Sequence, residues 1–116
     1  MLTMHFNPTA KITHHRVSID PPYEYVGHYL TDDVQHSVFV ATAHARRLRE
    51  VIRGEREPIE CETGNVWTMD ADPEWTTLTN TYGIKTLTVR LPTPWLLDAV
   101  ERWRQQLIDL GYPLDR

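Results

Sequence analysis

Carboxylate side chains are concentrated in one short stretch of the chain, residues 55–74. Seven acidic residues and a single base, Arg56, give this stretch a formal charge of −6, whereas the whole chain carries −4. Such an excess of carboxylates is typical of a surface that attracts a positively charged partner and speeds its association. The acidic residues of the stretch are Glu55, Glu57, Glu60, Glu62, Asp70, Asp72 and Glu74.

Two tryptophans lie beside these carboxylates, Trp67 within the stretch and Trp75 directly after it. Aromatic side chains dominate the binding energy of protein interfaces, so an exposed tryptophan at this place would anchor a partner. Core packing is the competing interpretation for at least one of the two. We predict a partner-binding surface that contains the seven acids, Trp67 and Trp75.

The same stretch gives less support to a catalytic role. Glu60 and Glu62 share one face of a predicted strand, but an acid–base pair of carboxylates also needs a cleft that desolvates one member. Cys61, the only cysteine, lies between these two negative charges, which is an unfavourable position for a thiolate nucleophile. We therefore predict no catalytic residue.

The six histidines do not have the spacing of metal ligands. His14 and His15 are adjacent on a predicted strand, so their side chains point to opposite faces. His36 and His44 are eight residues apart, whereas two ligands on one helix need a spacing of about four. The sequence therefore predicts no metal ion and no cofactor.

Two alternatives to a protein-binding surface remain open. His28 can meet a histidine of the preceding strand across a hairpin, and with Asp32 or Asp33 it could form the cleft of a small enzyme or ligand-binding domain. The other alternative is a homodimer with a structural role.

Arginines are concentrated just before the acidic stretch. Arg46, Arg47, Arg49 and Arg53 stand against a single acid in residues 43–53, which gives this segment a charge of +3. Such a helix end could bind phosphate, but the helix dipole also stabilises arginines at a C-terminus, and we favour this second interpretation. The net charge of −4 weighs against nucleic-acid binding, which needs a dominant basic surface.

A closing amphipathic helix is the clearest structural element. Thr93 can cap its start, Pro94 fits its first turn, and Gly111 follows its end. Apolar residues recur at spacings of three and four, which predicts one buried stripe. The stripe consists of Leu96, Val100, Trp103, Leu107 and Leu110.

A second helix is predicted to follow Thr31, which can cap it, and to end before residue 54. Its apolar residues recur with helical spacing, and acidic residues at its start suit the N-terminal end of the dipole. The run Val38-Phe39-Val40 has strand character. The helix could therefore begin only after Thr42, and residues 36–41 stay open between helix and strand.

The remaining segments have the β-branched and aromatic composition of strands. The first two form a predicted hairpin around residues 20–22, and turns at residues 63–65 and 82–83 join later strands. The order β-β-α-β-β-β-β-α predicts an α+β fold in which two helices pack on one face of an antiparallel sheet. The predicted strands are residues 11–19, 23–30, 58–62, 66–69, 75–81 and 84–91.

Length and composition fit one cytoplasmic domain comprising residues 1–116. An apolar content of 41% and a charged content of 24% are ordinary for a globular protein. A single cysteine forms no internal disulfide, and the N-terminus lacks the pattern of a signal peptide. Because no apolar run approaches the length of about 20 residues that crosses a bilayer, we expect no membrane association.

Two short motifs are similar to a known family. Tyr25-Val26-Gly27-His28-Tyr29 is followed by Asp32-Asp33-Val34, and the second motif is Gly64-Asn65-Val66-Trp67-Thr68-Met69-Asp70. In these motifs and in the order of its elements, the chain resembles the YacL-like family of small uncharacterised bacterial proteins. The resemblance implies a bacterial α+β domain, and it implies neither an activity nor catalytic residues.

We predict a non-catalytic protein that binds another protein. Its acidic hairpin would present carboxylates in the places of phosphates to a basic cleft, such as that of a nuclease or another toxin. Immunity proteins and antitoxins, which inhibit toxins, are often small acidic domains of this kind. The predicted partner is therefore a protein with a basic surface.

Overall fold

The computed structural model describes residues 1–115 and confirms an α+β fold with the predicted order of strands and helices. All strand pairs are antiparallel. None of the helices in the described part of the chain combines the length and the apolar character needed to cross a membrane. The elements are β1 (Met4–Phe6), β2 (Val17–Ile19), α1 (Glu24–Tyr29), a π-helical turn (Leu30–Val34), α2 (Val38–Ile52), β3 (Ile59–Thr63), β4 (Trp67–Ala71), β5 (Trp75–Asn80), β6 (Leu87–Pro92) and α3 (Thr93–Asp109).

The larger sheet has the strand order β3-β4-β5-β6, so β3 and β6 are its edges. Met69, Leu78 and Val89 lie side by side on its central strands and β6, and all three are buried. Their neighbours Asp70 and Arg90 point to the opposite face, because side chains alternate along a strand. The buried face joins the helices in one hydrophobic core, and the opposite face carries Glu60 and Asp70.

Helix α3 follows the predicted apolar stripe from Leu96 to Leu107, with Trp103 and Leu107 fully buried. The prediction is wrong for Leu110, which follows the last helical residue and is 45% exposed. The prediction that Thr93 caps this helix is wrong, because Pro92 holds the N-cap position and Thr93 is the first helical residue. The Thr93 hydroxyl instead donates a hydrogen bond to the carbonyl oxygen of Asp72 (2.7 Å). This bond ties the start of the helix to the β4–β5 turn.

Helix α2 begins at Val38, so residues 38–41 are helical in spite of their β-branched side chains. The Ser37 hydroxyl accepts a hydrogen bond from the Val40 N–H (3.1 Å) and supplies the N-cap. Thr31, the predicted cap, lies instead in the π-helical turn, where its hydroxyl bonds back to carbonyls of α1. A capping side chain therefore outweighs the local strand propensity here.

The N-terminal region differs from the prediction in its pairing. β1 pairs with β2, and residues 23–30, which were predicted to be the second strand, form α1 and its flanks. The predicted hairpin between residues 11–19 and 23–30 is therefore wrong. Val26, Tyr29 and Leu30 recur at helical spacing and are all buried, so these residues pack as one face of a helix.

Candidate protein-binding surface

The acidic stretch forms β3, β4 and the turns that flank them, and it divides its carboxylates between the two sides of the sheet. Glu62 stands opposite Met69 in the β3–β4 pairing and therefore faces the helices. On that side it forms an ion pair with Arg47 of α2. The Arg47 guanidinium therefore balances the charge of Glu62, whose side chain remains 50% exposed.

The solvent side of the sheet carries a shallow groove of about 270 Å³ that is lined by residues from all four strands. Glu60 of β3 and Asp70 of β4 line this groove together with Asp72, which follows β4. Trp75 of β5 and Arg90 of β6 complete its charged and aromatic lining. We call these five residues the acidic groove, in which three carboxylates face one guanidinium.

Two carboxylates of the acidic groove are held by backbone N–H groups. Asp70 accepts a hydrogen bond from the N–H of Cys61 (2.9 Å), which has a φ of 47° at an irregular point of the β3–β4 pairing. Asp72 accepts hydrogen bonds from the N–H groups of Trp75 (2.7 Å) and Glu74 (2.8 Å). These two bonds lower the pKa of Asp72. Both carboxylates therefore have fixed positions at the surface.

Trp75 is the aromatic centre of the acidic groove. Its side chain is 40% exposed, and the Arg90 guanidinium lies over its ring, 4.1 Å from the ring centroid. This cation–π contact holds the indole in place from one side. A partly exposed tryptophan surrounded by ordered polar groups has the composition of an interface hot spot.

Trp67, the other predicted anchor, is a core residue. Only 1% of it is exposed, and the ring of Tyr25 packs nearby, with the two centroids 6.1 Å apart. Its indole N–H donates a hydrogen bond to Asp32 Oδ2 (3.0 Å). The prediction that Trp67 contacts a partner is therefore wrong, because burial and an internal acceptor occupy both its ring and its donor.

The remaining glutamates of the stretch keep their charges exposed. Glu55 lies 3.8 Å from Arg53, and both side chains are largely exposed to solvent. Within residues 1–115, no ion pair forms to Glu57, Glu60 or Glu74. These three carboxylates are consequently free of internal neutralisation in the part of the chain that the structure describes.

A second polar cluster lies where residues 13–15 contact α1. The rings of His14 and His28 stack with their centroids 4.6 Å apart, and His14 Nε2–H donates to Asp32 Oδ1 (2.6 Å). Burial lowers the pKa of His28, and the nearby His14 lowers it further. An open cleft of about 330 Å³ beside the stack is also lined by Glu24. Among the described residues, no three His, Cys, Asp or Glu side chains are grouped as a metal site.

Asp33 has a structural position outside this cleft. Its carboxylate accepts hydrogen bonds from the N–H groups of Val66 (2.8 Å) and Trp67 (3.1 Å), which joins the π-helical turn to the start of β4. Burial raises the pKa of Asp33, and these N–H groups counteract that rise. A Cβ atom on Gly64 would lie 2.5 Å from Asp33 Oδ2, so any larger residue there would push the Asp33 carboxylate out of its present position. The predicted combination of His28 with Asp33 is therefore not formed.

A third polar site could not be predicted from the sequence. Tyr29 of α1 and His44 of α2 border a cavity of about 60 Å³, and a hydrogen bond of 2.5 Å joins the Tyr29 hydroxyl to His44 Nδ1. Burial raises the pKa of Tyr29 and lowers the pKa of His44, so both groups are neutral at pH 7. The cavity has room for a few water molecules. No motif links these two residues, and only the packing of the helices brings them together.

Comparisons with protein-family models, with curated proteins and with solved structures give no match for this chain. The resemblance to the YacL-like family therefore stays a prediction. Functional inference depends on the chemistry of the acidic groove and of the two other polar clusters.

Proposed function

We propose that this protein binds a basic surface of another protein through the acidic groove and acts without catalysis. The observation that carries this proposal is the set of three exposed carboxylates around the half-exposed Trp75. Each carboxylate comes from a different segment, Glu60 from β3, Asp70 from β4 and Asp72 from the turn that follows. The sheet thus places the charges around one aromatic side chain.

Fixed carboxylates favour this use of the groove. The backbone N–H groups that hold Asp70 and Asp72 order both side chains before a partner arrives, so less conformational entropy is lost on binding. In a basic cleft such carboxylates occupy the positions of phosphate groups and exclude the phosphate-bearing substrate. We therefore propose an inhibitor of the immunity-protein or antitoxin type, with a toxin or nuclease as its partner.

A charge-reversal variant tests this proposal. The triple variant Glu60→Lys, Asp70→Lys and Asp72→Lys reverses the three exposed carboxylates of the acidic groove, and circular dichroism checks that the variant is folded. Immobilised wild-type protein should retain a basic protein from a lysate of the source organism, and the triple variant should not. With the purified partner, association of the wild type should slow as salt is added, because salt screens steering.

The matched control reverses three acids away from the groove, Glu50→Lys, Asp109→Lys and Asp115→Lys. It changes the net charge by the same amount, and it should retain the partner. Equal retention by wild type and the groove variant would remove the proposal. Equal loss in both variants would show that net charge, and not the groove, attracts the partner.

A second candidate function is favoured by the contact between His14 and Asp32. The aspartate orients the imidazole of His14 through Nε2–H, and this ring lines the open cleft. A small ligand could bind at this place. A thermal-shift screen of small molecules would support this candidate if a compound stabilises the wild type and not a His14→Ala variant.

A structural homodimer is the third candidate, and solution mass separates it from the others. Sedimentation velocity of the wild type alone should give the mass of one chain if the acidic groove serves a different protein. A dimer that dissociates in the triple groove variant would assign the groove to self-association instead.

A further inference from the structure

The helical side of the molecule carries a second groove, and its charge is opposite to that of the acidic groove. Arg46 and Arg49 of α2 line one wall, and Arg102 and Arg104 of α3 line the other, around an open volume of about 590 Å³. Arg104 donates to the Thr42 hydroxyl (2.7 Å), and Arg49 bonds to Glu101 (2.7 Å), so the two helices run antiparallel along the groove. We call the four arginines the arginine groove.

Acidic residues neutralise only part of this charge. Glu101 pairs with Arg49, and Asp98 lies 3.7 Å from Arg102, so two of the four arginines have an acidic partner in the groove. Within residues 1–115, Arg46 and Arg104 form no ion pair, and Arg104 bonds only to a neutral hydroxyl. The arginine groove therefore keeps a surplus of two positive charges, one on each wall.

We propose that the arginine groove binds a small molecule that carries two or more linked phosphate groups. The guanidinium fork matches phosphate oxygens through paired hydrogen bonds, and it is weakly hydrated compared with an ammonium group. Because Arg46 and Arg104 lie on opposite walls, a chain of linked phosphates can contact both of the arginines that have no acidic partner in the described residues. The volume falls within the range of small-molecule sites.

A second copy of this protein fits the arginine groove less well. The acidic groove has the matching charge, but both surfaces are concave and are therefore not complementary in shape. A phosphate chain is narrow and flexible enough to lie between two helices. Charge and shape together therefore favour the small anion.

Isothermal titration calorimetry with sodium tripolyphosphate at low salt tests this inference. The wild type should bind one tripolyphosphate per chain. The double variant Arg46→Gln and Arg104→Gln should weaken the Kd by about tenfold or more, because it removes charge-assisted hydrogen bonds from both walls. The control Arg53→Gln and Arg56→Gln removes the same charge outside the groove, and its Kd should stay within about twofold of wild type.

A variant that is expected to bind tripolyphosphate more tightly gives a second readout, because damage to the fold would not increase the affinity. Glu101→Gln frees Arg49 from its carboxylate and should tighten tripolyphosphate binding several-fold, since a competing anion is lost. Circular dichroism checks that every variant is folded.

Three results would overturn the inference. The first is a wild-type Kd weaker than about 1 mM. The second is equal weakening in the groove and control variants, which would indicate nonspecific charge attraction. The third is self-association of the wild type that the groove variant abolishes while tripolyphosphate has no effect, which would assign the groove to a second copy.

Discussion

Two groups of acidic side chains in this molecule have the same chemistry and opposite roles. Asp32 and Asp33 lie in the π-helical turn and accept hydrogen bonds from His14, from the indole of Trp67 and from the backbone at the start of β4. Glu60, Asp70 and Asp72 lie on the solvent side of the sheet, where no internal cation pairs with them in the described residues.

The two groups differ in whether the second carboxylate oxygen accepts a hydrogen bond. Both Asp33 oxygens accept backbone N–H groups, and both Asp32 oxygens accept side-chain donors. Asp70 and Asp72 each accept backbone N–H groups through Oδ1, and within residues 1–115 no hydrogen bond is made to Oδ2 of either residue. An acid of the first group therefore holds the fold together, whereas an acid of the second group is ordered and still able to bind a partner.

The largest effect is expected for Asp33→Ala, which tests whether the first group is structural. The substitution leaves the N–H groups of Val66 and Trp67 without an acceptor, and we expect it to lower the free energy of unfolding by about 2–4 kcal/mol. Urea denaturation followed by tryptophan fluorescence measures this change. Asp33→Asn keeps one oxygen acceptor and should lose less.

Glu60→Ala is the matched substitution in the second group. This side chain is exposed and makes no internal ion pair among residues 1–115, so stability should change by less than about 0.5 kcal/mol. A loss as large as that of Asp33→Ala would erase the distinction between the two groups.

The next largest effect is expected on partner affinity in a Trp75→Ala variant. If the acidic groove is the interface, loss of its aromatic centre should weaken partner affinity by about 2 kcal/mol, or roughly thirtyfold. Surface plasmon resonance with the purified partner measures this, and most of the change should appear in the dissociation rate. Trp75→Phe keeps a ring under Arg90 and should retain more affinity.

Stability should respond little to the same substitution. Trp75 is 40% exposed, and its cation–π contact with Arg90 contributes about 0.5–1 kcal/mol at such a site. A Trp75→Ala variant that unfolds readily while partner affinity is unchanged would show that Trp75, like the acids of the first group, has a structural role.

The smallest effect is a dependence of stability on pH near the first group. Burial lowers the pKa of His28, which stacks on the histidine that Asp32 holds, and the pKa of His44, which is hydrogen-bonded to Tyr29. A lowered pKa in the folded state means that the unfolded chain binds protons more readily. Stability is therefore fully present above the ordinary histidine pKa of about 6.5 and is lost as pH falls through the folded values.

Urea denaturation at about pH 7.5 and about pH 5.5 checks this direction, on either side of the ordinary histidine pKa. His28→Gln and His44→Gln should each reduce the loss of stability on acidification. His5→Gln is the control, because His5 is exposed and pairs with an exposed Asp20. A wild type that is equally stable at both pH values, or a His5 variant that reduces the loss as much, would contradict the assignment.

The sequence by itself determined the C-terminal half of the fold. The long apolar repeat of α3 is compatible only with a helix, so it predicts this element directly. The strands β3 to β6 are predicted by their composition and by the turn residues between them. The short N-terminal elements could not be read in this way. Six residues of α1 and three each of β1 and β2 are too few to distinguish a helical repeat from an alternating one.

Only the tertiary structure decided which charged residues are free. The sequence placed Glu60 and Glu62 in one acidic strand, but the irregular pairing at Cys61 turns Glu62 toward Arg47 and leaves Glu60 at the surface. The sequence likewise showed arginines near the end of α2, and α3 supplies the opposite wall of their groove. Charge is a property of composition, whereas its neutralisation depends on distances between segments that are far apart in the chain.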